Sequence, residues 1–543
     1  MMITVTAYLP VRHAGFIWDD DDHFTRNSAM LSINGLRRIW SSVSVSRYYP
    51  LTLTTFWVEH HLWELNPLPY HAVNVALHAA NAVLLWMLLR RLKVSGAWLA
   101  AAIWTIHPVC VESVAWATEL KNVQSGFFFF LAVLCFLRSG SDNSRRDYAL
   151  ALAFGAAAML SKPSTVVLPI ILLLCVGWQN GRCRFADLLR AAPFFGLALA
   201  MSVLTVIEQR RQIGAAHTDG WQLSAAERLV IAGKAVWFYA AHVLWPANLT
   251  FIYPHWKVSA TSSADWLPLA GAVAVGALLW ACRRQPWARA ALFGTGFFLA
   301  TLLPVMGFFN IYYFCYSFVA DHFQYLACIG LISLTTSTAV AVAGQSGPPG
   351  HIRAACAAAV VLLTLGVCTW RQTHVYQDTA TLWRDTIQKT PDAWLAHGEL
   401  GNALLQQGLV GEAAGQYQQA LRANPNCDVA HNNLGVALAR MGRVEEAVAQ
   451  FQQTLRINPE YFEAYNNLGL ILARADRLQE AIGQYERALQ VKPDNSGTQL
   501  NIGAALEKLG RTQEASEHSE QALKLQPDLA DAQAALARLR PGT

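Results

Sequence analysis

The stretch with the most chemistry in it is Phe16-Ile17-Trp18-Asp19-Asp20-Asp21-Asp22-His23, where four consecutive carboxylates follow a short apolar segment. Adjacent acids repel one another, so such a run sits in water, against cations, or around a reacting group. The plain reading is a solvated acidic turn, because charge runs are usually solvated. The sharper reading is a pair of catalytic carboxylates at the mouth of a membrane enzyme. Asp21, Asp22 and His23 could also help to hold a hard divalent cation, which favours carboxylate oxygens.

The elements that must position this loop are apolar. Residues 1–370 carry 25 Lys/Arg against 16 Asp/Glu, and the remainder carries 16 against 20. A basic membrane part is therefore joined to a mildly acidic soluble part, a balance that gives no support to nucleic-acid binding. Ten cysteines are scattered without a C-x-x-C spacing, as buried free thiols are, so neither a disulfide framework nor a zinc site is indicated. Met1–Trp18 makes only a marginal span, interrupted by Arg12 and His13, and a start upstream of Met1 would complete it. Leu36–Trp40 reads as part of an interfacial amphipathic helix. Clear spans follow at about 70–90, 97–114, 120–137, 148–162, 164–178, 191–207, 265–282, 289–306, 320–343 and 352–370. Arg90-Arg91-Lys93, Arg138 with Arg145-Arg146, Arg182-Arg184-Arg190 and Arg283-Arg284 with Arg289 mark inner loops. They put Asp19–Asp22 outside and make Arg228–Trp245 re-entrant or interfacial. About eleven spans then send the C-terminal part to the outer side, although Arg210-Arg211 count against that orientation.

After Trp370 the pattern changes. Prolines recur at 391, 425, 459, 493 and 527, a step of 34 residues, and Leu400-Gly401, Leu434-Gly435, Leu468-Gly469 and Ile502-Gly503 keep the same step. This is the tetratricopeptide (TPR) period, in which small residues allow close helix packing and proline ends each pair. The expected organisation is a membrane domain over 1–370, a linker and half-repeat with Trp383 over 371–393, four repeats over 394–529, and a capping helix and tail over 530–543. The fold class is all-α: a polytopic helical membrane domain followed by an α-solenoid. Such a solenoid offers a concave groove for an extended peptide or partner helix, unless it serves only as a spacer. Asn402, Asn433, Asn467 and Asn501 are the groove-side candidates, an asparagine ladder suited to a peptide backbone, with Asn402 one residue out of phase.

The order of the motifs resembles a family. After F-x-W-D-D-D-D come Tyr49-Pro50-Leu51-Thr52, Asn66-Pro67-x-x-Tyr70-His71-x-x-Asn74 and His107-Pro108-Val109-x-Val111-Glu112-Ser113-Val114-Ala115-Trp116. Glu119-x-Lys121-Asn122, Ser161-Lys162-Pro163 and Ser317-Phe318-Val319-Ala320-Asp321-His322-Phe323-Gln324-Tyr325 follow. Over nearly its whole length the chain resembles the transmembrane-and-TPR glycosyltransferases. These are related to the protein O-mannosyltransferases, polytopic GT-C enzymes that use polyprenyl-phosphate sugars. The resemblance implies an integral-membrane enzyme, in a bacterial inner membrane, transferring a sugar such as mannose from that donor to Ser/Thr of exported proteins. The outer TPRs would bind the acceptor, and no cofactor or metal is implied. Asp19 and Asp20 match the family's acidic pair, one of which acts as base on the acceptor hydroxyl. A positioned base is worth about 10²–10⁴ in rate, and crowding among carboxylates raises a pKa in the direction that suits one.

For the donor phosphate the same resemblance points to Lys121 and Lys162, with His107 and His322 behind them. All four lie near outer ends of predicted spans, where ionisable groups are functional by default. Asp21, Glu112, Glu119 and Asp321 complete the substrate-binding set, with Glu112 and Glu119 placing a lysine or sugar hydroxyls. Two alternatives stay open at this level: Lys162 could snorkel, and His107 before Pro108 could cap a turn. Two departures bear on the donor. Phe314-Cys315-Tyr316 stands where an arginine is expected two residues before Ser317, and Leu120 stands where relatives often have arginine. Arginine grips phosphate bidentately, which neither replacement can do. The rival functions are an inactive TPR anchor for envelope assembly and an enzyme acting on lipid-linked glycans or cell-wall polymers.

Overall fold

The computed structural model describes residues 1–41, 48–215, 223–345 and 347–539, and divides the chain into Met1–Thr390 and Pro391–Thr543. Helices, including short 3-10 and π turns, are the regular structure of the described residues.

In the first unit, eight helices among the described residues are long and apolar enough to cross a membrane: Pro67–Arg91, Ala117–Asp142, Pro163–Asn180, Phe185–Arg211, Ser263–Ala281, Pro286–Val305, Cys328–Gln345 and Pro348–Tyr376. A ninth is possible if Ala97–Thr105 and Pro108–Ala115, bent by 55° at their junction, are one broken span. Pro108 explains the bend, because it cannot donate to the preceding turn. By length and apolarity alone these are fewer than the eleven or so expected. Met1–Trp18 holds only the six-residue helix Met2–Ala7 and a 3-10 turn, Leu9–His13, that Pro10 opens. Residues 148–161 of the expected 148–162 span fall in Arg145–Ser161, whose 17 residues rise about 25 Å, short of an average hydrocarbon core. The Ala225–Leu244 helix opens on a capping box from Ser224 and Glu227 and is not among the eight. Ile33–Ser41 is a short helix that buries only Gly35 and Ile39. Where Pro286–Leu302 crosses Cys328–Gln345, Gly294 meets Gly330. A Cβ on Gly294 would come within 2.9 Å of the Gly330 carbonyl oxygen, so the two backbones touch in the manner of small-residue membrane interfaces.

The second unit is four antiparallel helix pairs, from Trp394–Gln406 with Val410–Ala423 to Ser496–Lys508 with Thr512–Leu525, followed by Ala530–Leu539. Residues 540–543 of the expected tail lie outside the described residues. The 34-residue glycines are contact points. A Cβ on Gly401, Gly435 or Gly469 would lie 2.6, 2.7 or 2.5 Å from the ring of Tyr417, Phe451 or Tyr485. In the fourth pair Gly503 faces the smaller Ser519, at 3.1 Å. The helix Thr379–Lys389, expected as half a repeat, falls in the first unit, where Trp383 packs edge-on to Trp18 and Phe251.

Candidate active site

The four acids do not share one environment. Trp18 takes a left-handed backbone (φ 47°), unusual for a bulky residue, and its ring lies against Trp116, Phe251 and Trp383. The turn this creates drives Asp20 fully inside. One Asp20 oxygen accepts the Ile17 N–H at 2.8 Å, and the other accepts the Thr118 N–H at 2.8 Å and the Thr118 hydroxyl. Burial pushes the Asp20 carboxyl up to about 7, against the pull of those three donors and with a further push from Asp19. Asp19 is 7% exposed, so the solvated-run reading fails for both. Asp21 behaves as a surface acid: it accepts from Thr25 Oγ1 at 2.6 Å and pairs with Arg26 at 3.2 Å. His23, on the π-helical turn Asp21–Thr25, bonds the Asp19 carbonyl at 2.8 Å and the Tyr49 hydroxyl.

Thr118 connects this loop to a second polar group. Ala117–Glu119 is a 3-10 turn leading into the Leu120–Asp142 helix, so Glu119, Lys121 and Asn122 are presented together at one end of a span. Glu119 is fully buried, 2.7 Å from Lys121 Nζ and 3.5 Å from Lys162 Nζ, the latter arriving from the end of the Arg145–Ser161 helix. Asn122 ties the group together. Its amide nitrogen donates to Glu119 at 2.5 Å, Ser113 Oγ at 2.9 Å and the His322 carbonyl at 3.0 Å, while its oxygen accepts from Lys162 at 2.6 Å. Lys121 also stands over the rings of Trp116 (5.3 Å) and Tyr49 (5.8 Å). Two ammonium groups thus converge on one carboxylate in a nearly dry setting, where buried charges must be paired.

Glu112 reaches the same place from the other side, accepting from His322 N–H at 2.9 Å and lying 2.8 Å from its Nδ1. Asp321 receives the Tyr253 hydroxyl, 3.1 Å from each oxygen, and Gln324 Nε2 at 3.2 Å. The structure therefore brings Glu112, Glu119, Lys121, Lys162, Asp321 and His322 into one bonded neighbourhood, with Asp20 joined through Thr118. His107 is placed differently. Its Nδ1 accepts the Val109 N–H at 3.4 Å and its Nε2 bonds the Val243 carbonyl at 3.0 Å, which is the turn-capping alternative. Sequence reasoning gave no role to Asn122, although it stands three residues after Glu119 on one helix face. Tyr253 carries no local signal, being a lone tyrosine in a loop. No group of three or more His, Cys, Asp or Glu side chains among the described residues gathers as metal ligands do.

The TPR asparagines spend their amides on one another. Asn433 donates to Asn402 at 2.9 Å, Asn467 to Asn432 at 3.1 Å and Asn501 to Asn466 at 3.4 Å. Asn402 also accepts from the Tyr417 hydroxyl at 2.8 Å. These bonds clip successive repeats together, while the four side chains stay half-buried.

Residues 57–207 match the dolichyl-phosphate-mannose-protein mannosyltransferase family, and 401–442, 432–496 and 497–529 match TPR families. The fold and the site thus define a polytopic helical membrane protein in which a mannosyltransferase-type segment precedes TPR repeats. Its likeness is to the protein O-mannosyl-transferases that combine these parts. F38B6.6 of Caenorhabditis elegans, so named, is 22% identical over 441 residues, 77% of this chain and 61% of that protein. TMTC2 of Mus musculus is 30% identical over 168 residues, 28% of this chain and 20% of that protein. The chain thus spans less than two thirds of the length of these curated relatives. Among solved structures, YrrB, described as a TPR protein with an unusual peptide-binding site, aligns with 29% of this chain and 80% of its own at 23% identity and a TM-score of 0.27.

Proposed function

We propose that this chain is a membrane glycosyltransferase that moves a sugar, mannose being the best candidate, from a polyprenyl-phosphate donor to a Ser/Thr hydroxyl of an exported protein. The observation that carries the reading is the buried Lys121–Glu119–Lys162 group, tied through Thr118 to the acidic loop. In the reaction, Asp19 takes the hydroxyl proton as the acceptor oxygen bonds to the sugar's anomeric carbon. The bond from that carbon to the phosphate oxygen breaks, and the phosphate departs as an anion. It needs positive partners rather than an acid, which is the part given to Lys121 and Lys162. Asp20, with both oxygens bound to the protein, is a positioning residue that holds Asp19 in place. The acceptor would be taken by the TPR unit through surfaces other than the four amides that bond within the ladder.

The test is transfer from labelled polyprenyl-phosphate mannose in membranes containing the chain. Asp19→Asn and Lys121→Met are expected to lower transfer by about 10²-fold or more, the range lost with a positioned base or an electrostatic stabiliser. Undiminished transfer in Asp19→Asn would remove it as the base. No transfer by the correctly inserted native chain would favour the anchor reading, which the half-buried Cys315 already supports by standing where a phosphate-gripping arginine is expected.

A further inference from the structure

A cavity of about 320 Å³ lies between the ends of Pro67–Arg91, Pro163–Asn180, Pro286–Leu302 and Cys328–Gln345, at the end of the bundle that carries Arg90, Arg91 and Lys93. It has about twice the volume of an engineered apolar cavity that takes up benzene. Its lining on Cys328–Gln345 runs from Ile329 to Val342, about 20 Å along the helix at 1.5 Å per residue, so it is long and narrow. Leu85, Leu88, Phe293 and Phe297 make most of its wall apolar.

Two polar features break that wall. Ser333 is 8% exposed, and its hydroxyl has no hydrogen-bond partner. Three other hydroxyls of the same helix bond back to their own turn, Thr335 to Leu331, Ser337 and Thr338 to Leu334. A buried hydroxyl left without a partner costs roughly 1–3 kcal/mol, so a natural occupant brings an acceptor as well as hydrocarbon. At the rim, Lys93 holds a left-handed backbone (φ 56°) that turns the chain at the helix end, and its exposed ammonium makes no ion pair among the described residues.

We propose that this cavity binds one anionic glycerophospholipid of the leaflet facing Lys93, with an acyl chain along the Leu85–Phe297 wall, an ester oxygen at Ser333 and the phosphate at Lys93. The Arg- and Lys-rich end of the bundle is the inner one by the positive-inside rule, and the inner leaflet is where basic pockets between helices meet anionic headgroups. The bound lipid fills the space between four helices, two of which, Pro286–Leu302 and Cys328–Gln345, already touch at Gly294 and Gly330. The site is independent of the donor chemistry, since none of its lining residues belongs to the Asp20–Lys121–Lys162 neighbourhood.

The experiment is native mass spectrometry of the full chain in mild detergent, titrated with phosphatidylglycerol or phosphatidylcholine. One phosphatidylglycerol is expected to be retained about tenfold more tightly than phosphatidylcholine. Lys93→Glu should erase that preference, Lys93→Arg should keep it, and Ala290→Trp, which fills the cavity, should abolish retention of both. Lys93 is exposed, so its variants report even if the tryptophan variant fails to fold. Equal retention of the two lipids, or a preference untouched by Lys93→Glu, overturns the proposal, as does preferential retention of a polyprenyl phosphate at this site.

Discussion

Asp19 and Asp20 are neighbours in the chain but do different work. Three protein donors converge on Asp20, and an amide in its place keeps only one acceptor atom. Asp20→Asn is therefore expected to cost roughly 1–3 kcal/mol of stability through an unmatched donor, read as a lowered thermal midpoint in detergent. The pH dependence has a definite sign. With its carboxyl raised from an ordinary 3.8 to about 7, folded Asp20 binds its proton more tightly than the unfolded chain does. Its contribution is complete below pH 4 and is lost as pH rises through about 7. Glu59 behaves alike. It is buried in the Pro50–Trp63 helix with neither oxygen bonded, and burial raises its carboxyl to about 8. Thermal midpoints measured from pH 5 to 9 should fall through both ranges, and Glu59→Gln should remove the upper part of the fall. A midpoint of Glu59→Gln that still drops between pH 7 and 9 as in the native chain would show that Glu59 is not the cause.

At the scale of elements, glycine size sets how closely the TPR helices pack. Gly435→Ala puts a methyl 2.7 Å from the Phe451 ring, and overpacking of this kind typically costs about 1–3 kcal/mol. Gly503→Ala meets Ser519 Oγ at 3.1 Å and the Ala515 carbonyl oxygen at 3.2 Å, looser contacts than the Phe451 ring, and should cost less. Limited proteolysis of the full chain compares the two: faster cleavage is expected within 428–457 for the first and little change for the second. These repeats were legible in the sequence because a 34-residue step leaves the same residue types at the same places, and each place has one packing job. The asparagines show the limit of that legibility. Their spacing was visible, but whether an amide faces a guest or the next repeat depends on a rise between helix pairs that no single residue encodes. The same holds in the membrane unit. Glu119-x-Lys121-Asn122 announced a polar turn, whereas the pairing of Glu112 with His322 joins residues 210 positions apart. That pairing became visible only with the helices in place. Within Met1–Trp18 the break is local, a 3-10 turn that Pro10 opens just after Met2–Ala7.

For the whole molecule, charge and helix length together decide which side each loop occupies. Arg90-Arg91-Lys93, Arg145-Arg146, Arg182-Arg184 and Arg283-Arg284 can all lie inside only if Arg145–Ser161 crosses the membrane, short as it is. Its outer end is anchored, since Thr52 Oγ1 donates to the Ser161 carbonyl at 2.9 Å and Lys162 is held by Asn122 and Glu119. Local thinning of the bilayer can absorb the missing length at fractions of a kcal/mol per Å. Counting this helix and the bent pair with the eight long ones gives ten crossings from Pro67 onward among the described residues. With the basic loops inside, as the charge rule expects, this even number predicts that the chain after Tyr376 lies on the side of Asp19–Asp22, the outer one. Reporter fusions test the count. Alkaline phosphatase fused after Thr543 should be active and a fluorescent protein there dark, with the reverse at Asn143 and Gly181. A fluorescent C-terminal fusion with an unchanged result at Asn143 would mean that Arg145–Ser161 enters the membrane and leaves by the same face, since the bent pair lies before Asn143 and its failure to cross would change the result there.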